Sequence, residues 1–220
     1  MDFSVVELSA DDKEFRDRLR AFLAAIVTDE VRRRDRETGE NFDEGVHLAL
    51  GAEGYLATDW NDESEGGFSA LRRRIWDLEI GRAHTPWFHW GTTAMVAHTV
   101  QQFGSAELTD EVLPGVLSGH IRLCLGYTEP EGGSDVATCK TRAARDDASW
   151  IINGSKMFTS NAHNAKYVFL LTNLGVKGCV PGPRNIRRIG CQSPKRPERK
   201  CNNRNRESLQ VHVPSPSGFV

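Results

Sequence analysis

The residues best placed to do chemistry lie in one run, Gly126-Tyr127-Thr128-Glu129-Pro130-Glu131-Gly132-Gly133-Ser134-Asp135. An alternating apolar stretch ends there in a hydroxyl, followed by a turn and two adjacent glycines beside Ser134. Paired glycines let a backbone approach a ligand closely and leave N–H groups free for anionic oxygens. The same composition also suits an ordinary loop, because glycine is permissive everywhere. His84 and His89 are five apart, so they do not share a helix face as a metal pair would. The cysteines (Cys124, Cys139, Cys179, Cys191 and Cys201) are odd in number and form no Cys-x-x-Cys pair. They read as free thiols, not as a disulfide framework or a zinc site.

The elements that must position this run change character along the chain. Phe15, Leu19, Phe22, Leu23, Ile26 and Val27 recur at helical steps after a capping Ser9, with Asp12 three residues on. A second helix is expected over Glu44 to Glu53, ended by Gly54, and Asp59 to Gly67 reads as a loop. Ser69 caps a helix carrying Leu71, Ile75 and Leu78. Thr85-Pro86 predicts a helix opening, with Val96, Val100 and Phe103 inward and a stop at Gly104. Ser105 starts one more helix, which Pro114 and Gly115 are expected to break. From Ile121 the period becomes two: Ile121, Leu123, Leu125 and Tyr127 alternate. Thr138 to Arg145, Trp150 to Ile152 and Lys166 to Thr172 read as further strands. Asp146-Asp147 and Asn153-Gly154 are the turns between them. Helices first and antiparallel strands after them make the fold class α+β. Trp60, Trp76, Trp87 and Trp90 read as packing residues, and the Arg32–Arg34 and Arg72–Arg74 runs as solvated helix faces.

Thr128-Glu129-Pro130-x-x-Gly133-Ser134-Asp135 resembles the signature that opens the β-domain of acyl-CoA dehydrogenases. Downstream, Asn153-Gly154-Ser155-Lys156-Met157-Phe158-Thr159-Ser160-Asn161 is similar to that family's second flavin-contacting strand. Gly54-Tyr55-Leu56, Glu65-Gly66-Gly67, the Phe103-Gly104 to Leu113-Pro114 stretch and Leu117-Ser118-Gly119 fall at the family's usual upstream positions. The resemblance covers roughly residues 10–174.

It implies an N-terminal helical domain over 1–120 and the start of a β-barrel-like middle domain over 121–174. It implies FAD as cofactor and α,β-dehydrogenation of an acyl-CoA thioester as the family reaction. Leu125, Gly126, Tyr127 and Thr128 would line the flavin, and Gly133 and Ser134 would meet the pyrophosphate. Ser134 would also lie near the substrate. Phe158 stands where the family usually has tryptophan, Thr159 beside it, and Ser160 where a threonine is usual. Glu129, Glu131 and Asp135 fall in a structural turn of the motif, not at the base, which the family takes from a C-terminal helical domain. Electron-transfer flavoprotein and homo- or hetero-oligomeric partners follow from the same resemblance.

The charge balance splits near the same place. Residues 1–174 hold 18 Lys/Arg and 28 Asp/Glu, whereas residues 175–220 hold 10 and 2, with six of the nine prolines. After Gly175 neither period persists and one aromatic, Phe219, remains, so the tail is expected to be disordered. The break has the look of a reading-frame shift near Asn173 that replaces the C-terminal domain, leaving a fragment inactive alone. A non-catalytic partner subunit is the alternative. Nucleic-acid binding by the basic tail lacks the interleaved aromatics that usually accompany it. No apolar run reaches the ~18 residues of a membrane span, and no charged-then-apolar leader precedes Asp11. Those features point to a cytoplasmic protein.

Overall fold

The computed structural model describes residues 7–146, 149–175, 186–187 and 211–214. The chain forms two compact units, one drawn from Met1–Gly91 and Pro114–His120, the other from Thr92–Leu113 and Ile121–Val220.

The first unit begins with α1 (Ala10–Ile26), and Ser9 starts it as expected. Its side chain accepts from the Asp12 amide at 3.1 Å and donates to the Asp12 carboxylate at 2.6 Å. Phe15, Leu19, Leu23 and Val27 are buried, one per turn. Beyond the helices expected from the sequence there is a separate α2 (Asp29–Thr38), capped by Thr28 and closed by Gly39 in the left-handed region. The arginine run lies on it, and Arg33 bridges Glu30 and Glu37 on the exposed face. After α3 (Glu44–Ala52), Gly54 turns the chain at φ 76. Between Asp59 and Gly67 the expected loop carries a short 3-10 turn over Glu63–Glu65.

Helix α4 (Ala70–Arg82) is capped by Ser69 and buries Ile75, Trp76, Glu79 and Ile80. Leu78, grouped from the sequence with Leu71 and Ile75 on one side of this helix, is 55% exposed. Arg20 on α1 grips Glu79 on α4 through two 2.8 Å hydrogen bonds. Phe15, Phe68, Tyr55, Trp76, Trp87, Trp90 and Trp60 form a continuous series of ring contacts at 4.9–6.3 Å. The tryptophans are therefore packing residues.

Thr85-Pro86 does not open a helix. The Thr85 amide bonds the Ile80 carbonyl, the His84 amide bonds Gly81, and His84 is left-handed at φ 52. This is the Schellman closure of α4, with proline just beyond it. Helix α5 begins at Trp90 instead (Trp90–Phe103). Val96 and Val100 are buried, but Phe103 is 53% exposed. Nor does Pro114 break the next helix: α6 (Ala106–Leu117) holds it internally.

In the second unit, β1 (Leu123–Gly126) pairs with β4 (Tyr167–Leu170) in parallel, Leu123 opposite Tyr167 and Gly126 opposite Leu170. The all-antiparallel expectation is corrected here. β2 (Arg142–Asp146) and β3 (Ser149–Asn153) do pair antiparallel. Thr138, expected in that strand, ends a 3-10 turn (Val136–Thr138). Asn153-Gly154 makes no hairpin, because β4 leaves β3 to lie beside β1. Gly154 is instead a close-approach position, where a Cβ would lie 2.4 Å from Thr141 Oγ1.

Two short strands fall in the tail expected to be disordered. β5 (Ile186–Arg187) pairs with β4, and β6 (Val211–Pro214) with β3. The rest of 176–220 lies outside the described residues. Among the described residues the strands form two three-stranded sheets, neither closed on itself. Thr93 of α5 exchanges 3.2 Å hydrogen bonds with Leu123, and Tyr167 donates to Glu111 of α6 at 2.7 Å, which fixes β1 and β4 to the helices of this unit. No helix among the described residues is long and apolar enough to cross a membrane.

Candidate functional site

The two motif runs meet at the ends of β1 and β3. The Met157 amide donates to the Thr128 carbonyl at 2.8 Å, and Lys156 Nζ donates to the Tyr127 carbonyl at 3.1 Å. Leu125 and Gly126 lie within β1, and the Leu171 amide holds the Gly126 carbonyl at 3.1 Å. Tyr127 follows directly, its ring on Phe169 at 5.6 Å and its hydroxyl pKa pushed up by burial.

Beyond Thr128 the chain reverses: Glu129 and Gly132 exchange backbone hydrogen bonds at 2.8 and 3.2 Å. At Gly132 a Cβ would meet Thr138 Oγ1 at 2.6 Å, so a side chain there requires that hydroxyl to move. Gly133, the expected ligand glycine, has open space around it apart from the Thr128 methyl at 3.5 Å. Ser134 is exposed. On the facing run, Phe158 is left-handed at φ 54 and 81% exposed. The Ser160 amide turns back onto the Phe158 carbonyl at 2.9 Å. A bulky residue in that backbone region is costly and typical of sites whose geometry is fixed by function.

Glu129, Glu131 and Asp135 are all engaged locally. The Asp135 carboxylate accepts from the Ala137 amide at 3.2 Å, and Glu131 pairs with Lys140. Glu129 is buried and accepts from Lys156 Nζ at 2.8 Å, the Lys140 amide at 2.6 Å and the Thr141 amide at 2.8 Å. Burial pushes its carboxyl up, but the Lys156 ammonium and the two amides outweigh it and hold it far below the usual carboxylate range. Cys139 lies 3.2 Å from the same carboxylate, and burial with that neighbour pushes its thiol up. Cys124 and Cys139 are free thiols, and the other three cysteines lie outside the described residues.

Lys156 is the residue that sequence reading left without a role. Glu129 precedes it by 27 residues, and no period or motif couples the two.

The two runs thus carry an exposed aromatic face, an open glycine, and the hydroxyls of Thr128, Ser134, Thr159 and Ser160. None of these hydroxyls makes a hydrogen bond among the described residues. That set suits a planar ring with hydrogen-bonding edges and an anionic tail.

Residues 9–120 match the model of the acyl-CoA dehydrogenase N-terminal domain, and residues 124–183 match that of the middle domain. The chain is 31% identical over 167 residues to the acyl-CoA dehydrogenase FadE29 of Mycobacterium tuberculosis, covering 75% of this chain and 43% of that protein. Among solved structures it is similar to the Tcur3481-Tcur3483 steroid ACAD, with TM-score 0.66 and 34% identity over 84% of this chain and 48% of that one. It is also similar to the ChsE4-ChsE5 complex of Mycobacterium tuberculosis, with TM-score 0.64 and 30% identity over 80% and 46%. The chain spans less than half the length of these relatives. By these matches the chain belongs to the acyl-CoA dehydrogenase family.

Proposed function

We propose that residues 124–175 form one wall of an FAD site, in a barrel-like middle domain, that serves α,β-dehydrogenation of an acyl-CoA thioester. The observation that carries this reading is the Met157–Thr128 hydrogen bond, which sets Tyr127-Thr128 beside Phe158-Thr159-Ser160. Leu125 to Thr128 line the flavin, and the Thr128 and Ser160 hydroxyls hydrogen-bond its ring. Phe158 covers a ring face without the indole N–H that tryptophan would bring. Gly133 and Ser134 receive the pyrophosphate, with Ser134 also toward the thioester. Bound FAD supplies the acceptor for the hydride that leaves the substrate's β-carbon.

The chain's own residues orient and shield, and the reaction also needs a carboxylate to remove the α-proton. Glu129, Glu131 and Asp135 are committed to Lys156, Lys140 and the Ala137 amide. We assign this chain a cofactor wall and no turnover by itself. A flavin absorbance spectrum of the purified chain, with and without acyl-CoA, tests both parts. One thioester should be a straight saturated acyl-CoA and the other a steroid-derived one, because a relative at 34% identity is described as a steroid ACAD. FAD bound but not bleached is the expected result. No FAD binding overturns the wall, and bleaching by either thioester overturns the absence of a base.

A second reading, a non-catalytic subunit of a mixed assembly, is supported by the relatives solved as the ChsE4-ChsE5 complex and the Tcur3481-Tcur3483 pair. Electron-transfer flavoprotein would then meet the assembly and not this chain. Co-purification with a full-length dehydrogenase of the family, with FAD counted per chain, separates the two readings.

A further inference from the structure

A buried ion pair contributes little net stability, because desolvating both charges offsets their attraction. Glu129 and Lys156 form such a pair, with side chains 7% and 10% exposed. Its arrangement points to alignment. Lys156 Nζ reaches the Glu129 carboxylate at 2.8 Å, the Tyr127 carbonyl at 3.1 Å and Cys139 Sγ at 3.5 Å. Two of these three points lie on the run that ends β1. The next residue, Met157, bonds the carbonyl of Thr128 between them. Residues 156 and 157 therefore hold 127, 128 and 129 in succession. Glu129 is itself fixed by the amides of Lys140 and Thr141, so the anchor is not slack. An apolar side chain at 156 could fill the space, but it could not choose this register over one shifted by a residue.

We propose that Lys156 and Glu129 are positioning residues: they set the register of Tyr127-Thr128 against Phe158-Thr159-Ser160, and through it the affinity for the flavin. The cofactor part rests on the reading of 124–175 as a flavin wall. A one-residue slip would leave the backbone paired while moving the Thr128 and Ser160 hydroxyls away from a common ligand.

The test uses the full chain and the variants Lys156→Met, Lys156→Arg and Glu129→Gln, with Arg20→Met as a control in the other unit. Two quantities are read: FAD affinity by flavin fluorescence titration, and hydrogen exchange at the Met157 and Leu171 amides. Lys156→Met is expected to weaken FAD binding about tenfold or more, the scale of one charge-assisted hydrogen bond. It should speed exchange at Met157 by a similar factor while Leu171, bonded to Gly126, stays protected. Lys156→Arg should restore much of both, and Arg20→Met should leave FAD affinity unchanged.

If Lys156→Met also exposes Leu171, the whole unit has opened, and Glu129→Gln is read by the same criteria. FAD affinity and Met157 exchange within about twofold of wild type, against the tenfold expected from that bond, would overturn the proposal. A wild-type chain that binds no FAD overturns the flavin reading and the affinity clause with it. The Met157 exchange result then decides the register clause alone.

Discussion

Gly126 faces Leu170 across the parallel β1–β4 pair, and a Cβ on Gly126 would fall 2.7 Å from Leu170 Cδ1. That atom is the tip of a flexible side chain and can yield. At Gly154 the obstacle is backbone: a Cβ would lie 2.6 Å from Thr141 Cα. Gly126→Ala is expected to cost about 1–3 kcal/mol, the usual range for overpacking, and Gly154→Ala more than that. Urea unfolding of the two variants gives the order, and the reverse order would contradict this account.

Acid should reach the second unit through Glu129. The carboxyl is held far below its ordinary value near 4.5, so the folded chain keeps it ionised where the unfolded chain takes up a proton. Its contribution is therefore complete above about 4.5 and declines as pH falls below it. Glu129→Gln leaves the Lys156 ammonium buried without its counter-charge, at an expected cost of about 3–5 kcal/mol near neutrality. The variant should then lose less stability than wild type on acidification. Denaturant midpoints at neutral and acidic pH check both statements.

Phe158 separates ligand binding from stability. Its ring is 81% exposed, so Phe158→Ser should change the chain's own stability by less than about 0.5 kcal/mol. FAD affinity should fall clearly, because the aromatic face is gone. A large drop in melting temperature without a change in FAD titration would assign the ring to packing instead.

Arg20 and Glu79 test the helical unit. Glu79 is 8% exposed at its side chain and Arg20 39%, so solvent screens part of the pair. Arg20→Met is expected to cost about 1–2 kcal/mol by leaving a buried carboxylate without its partner. The double variant with Glu79→Met should recover most of that loss. Equal stability of the single and double variants, by urea unfolding, would deny the coupling.

Much of the helical unit was legible because its signals are local. Ser9 and Ser69 cap the helices they precede, and Phe15, Leu19 and Leu23 keep one period. Thr85-Pro86 misled because a proline just past a helix end and one at a helix start look alike without the His84 backbone. Asn153-Gly154 misled in the same way, since its glycine serves contact with Thr141 and not a hairpin. The parallel partner of β1 could not be read from alternation, which does not encode strand direction. Both motif runs were visible in the sequence, whereas the Glu129–Lys156 tie between them depends on side chains far apart in the chain.

The parallel pairing of β1 with β4 also says something about time. Leu123 cannot meet Tyr167 until the turn after Thr128 and the β2–β3 hairpin have been gathered between them. Closing so long a segment carries its entropy cost before any contact returns it, and non-local pairings of this kind form slowly. The pairing behind the proposed flavin wall therefore waits on the whole segment between Gly126 and Tyr167. During synthesis, β1 would leave the ribosome without its partner and stay unpaired along that edge until β4 followed it.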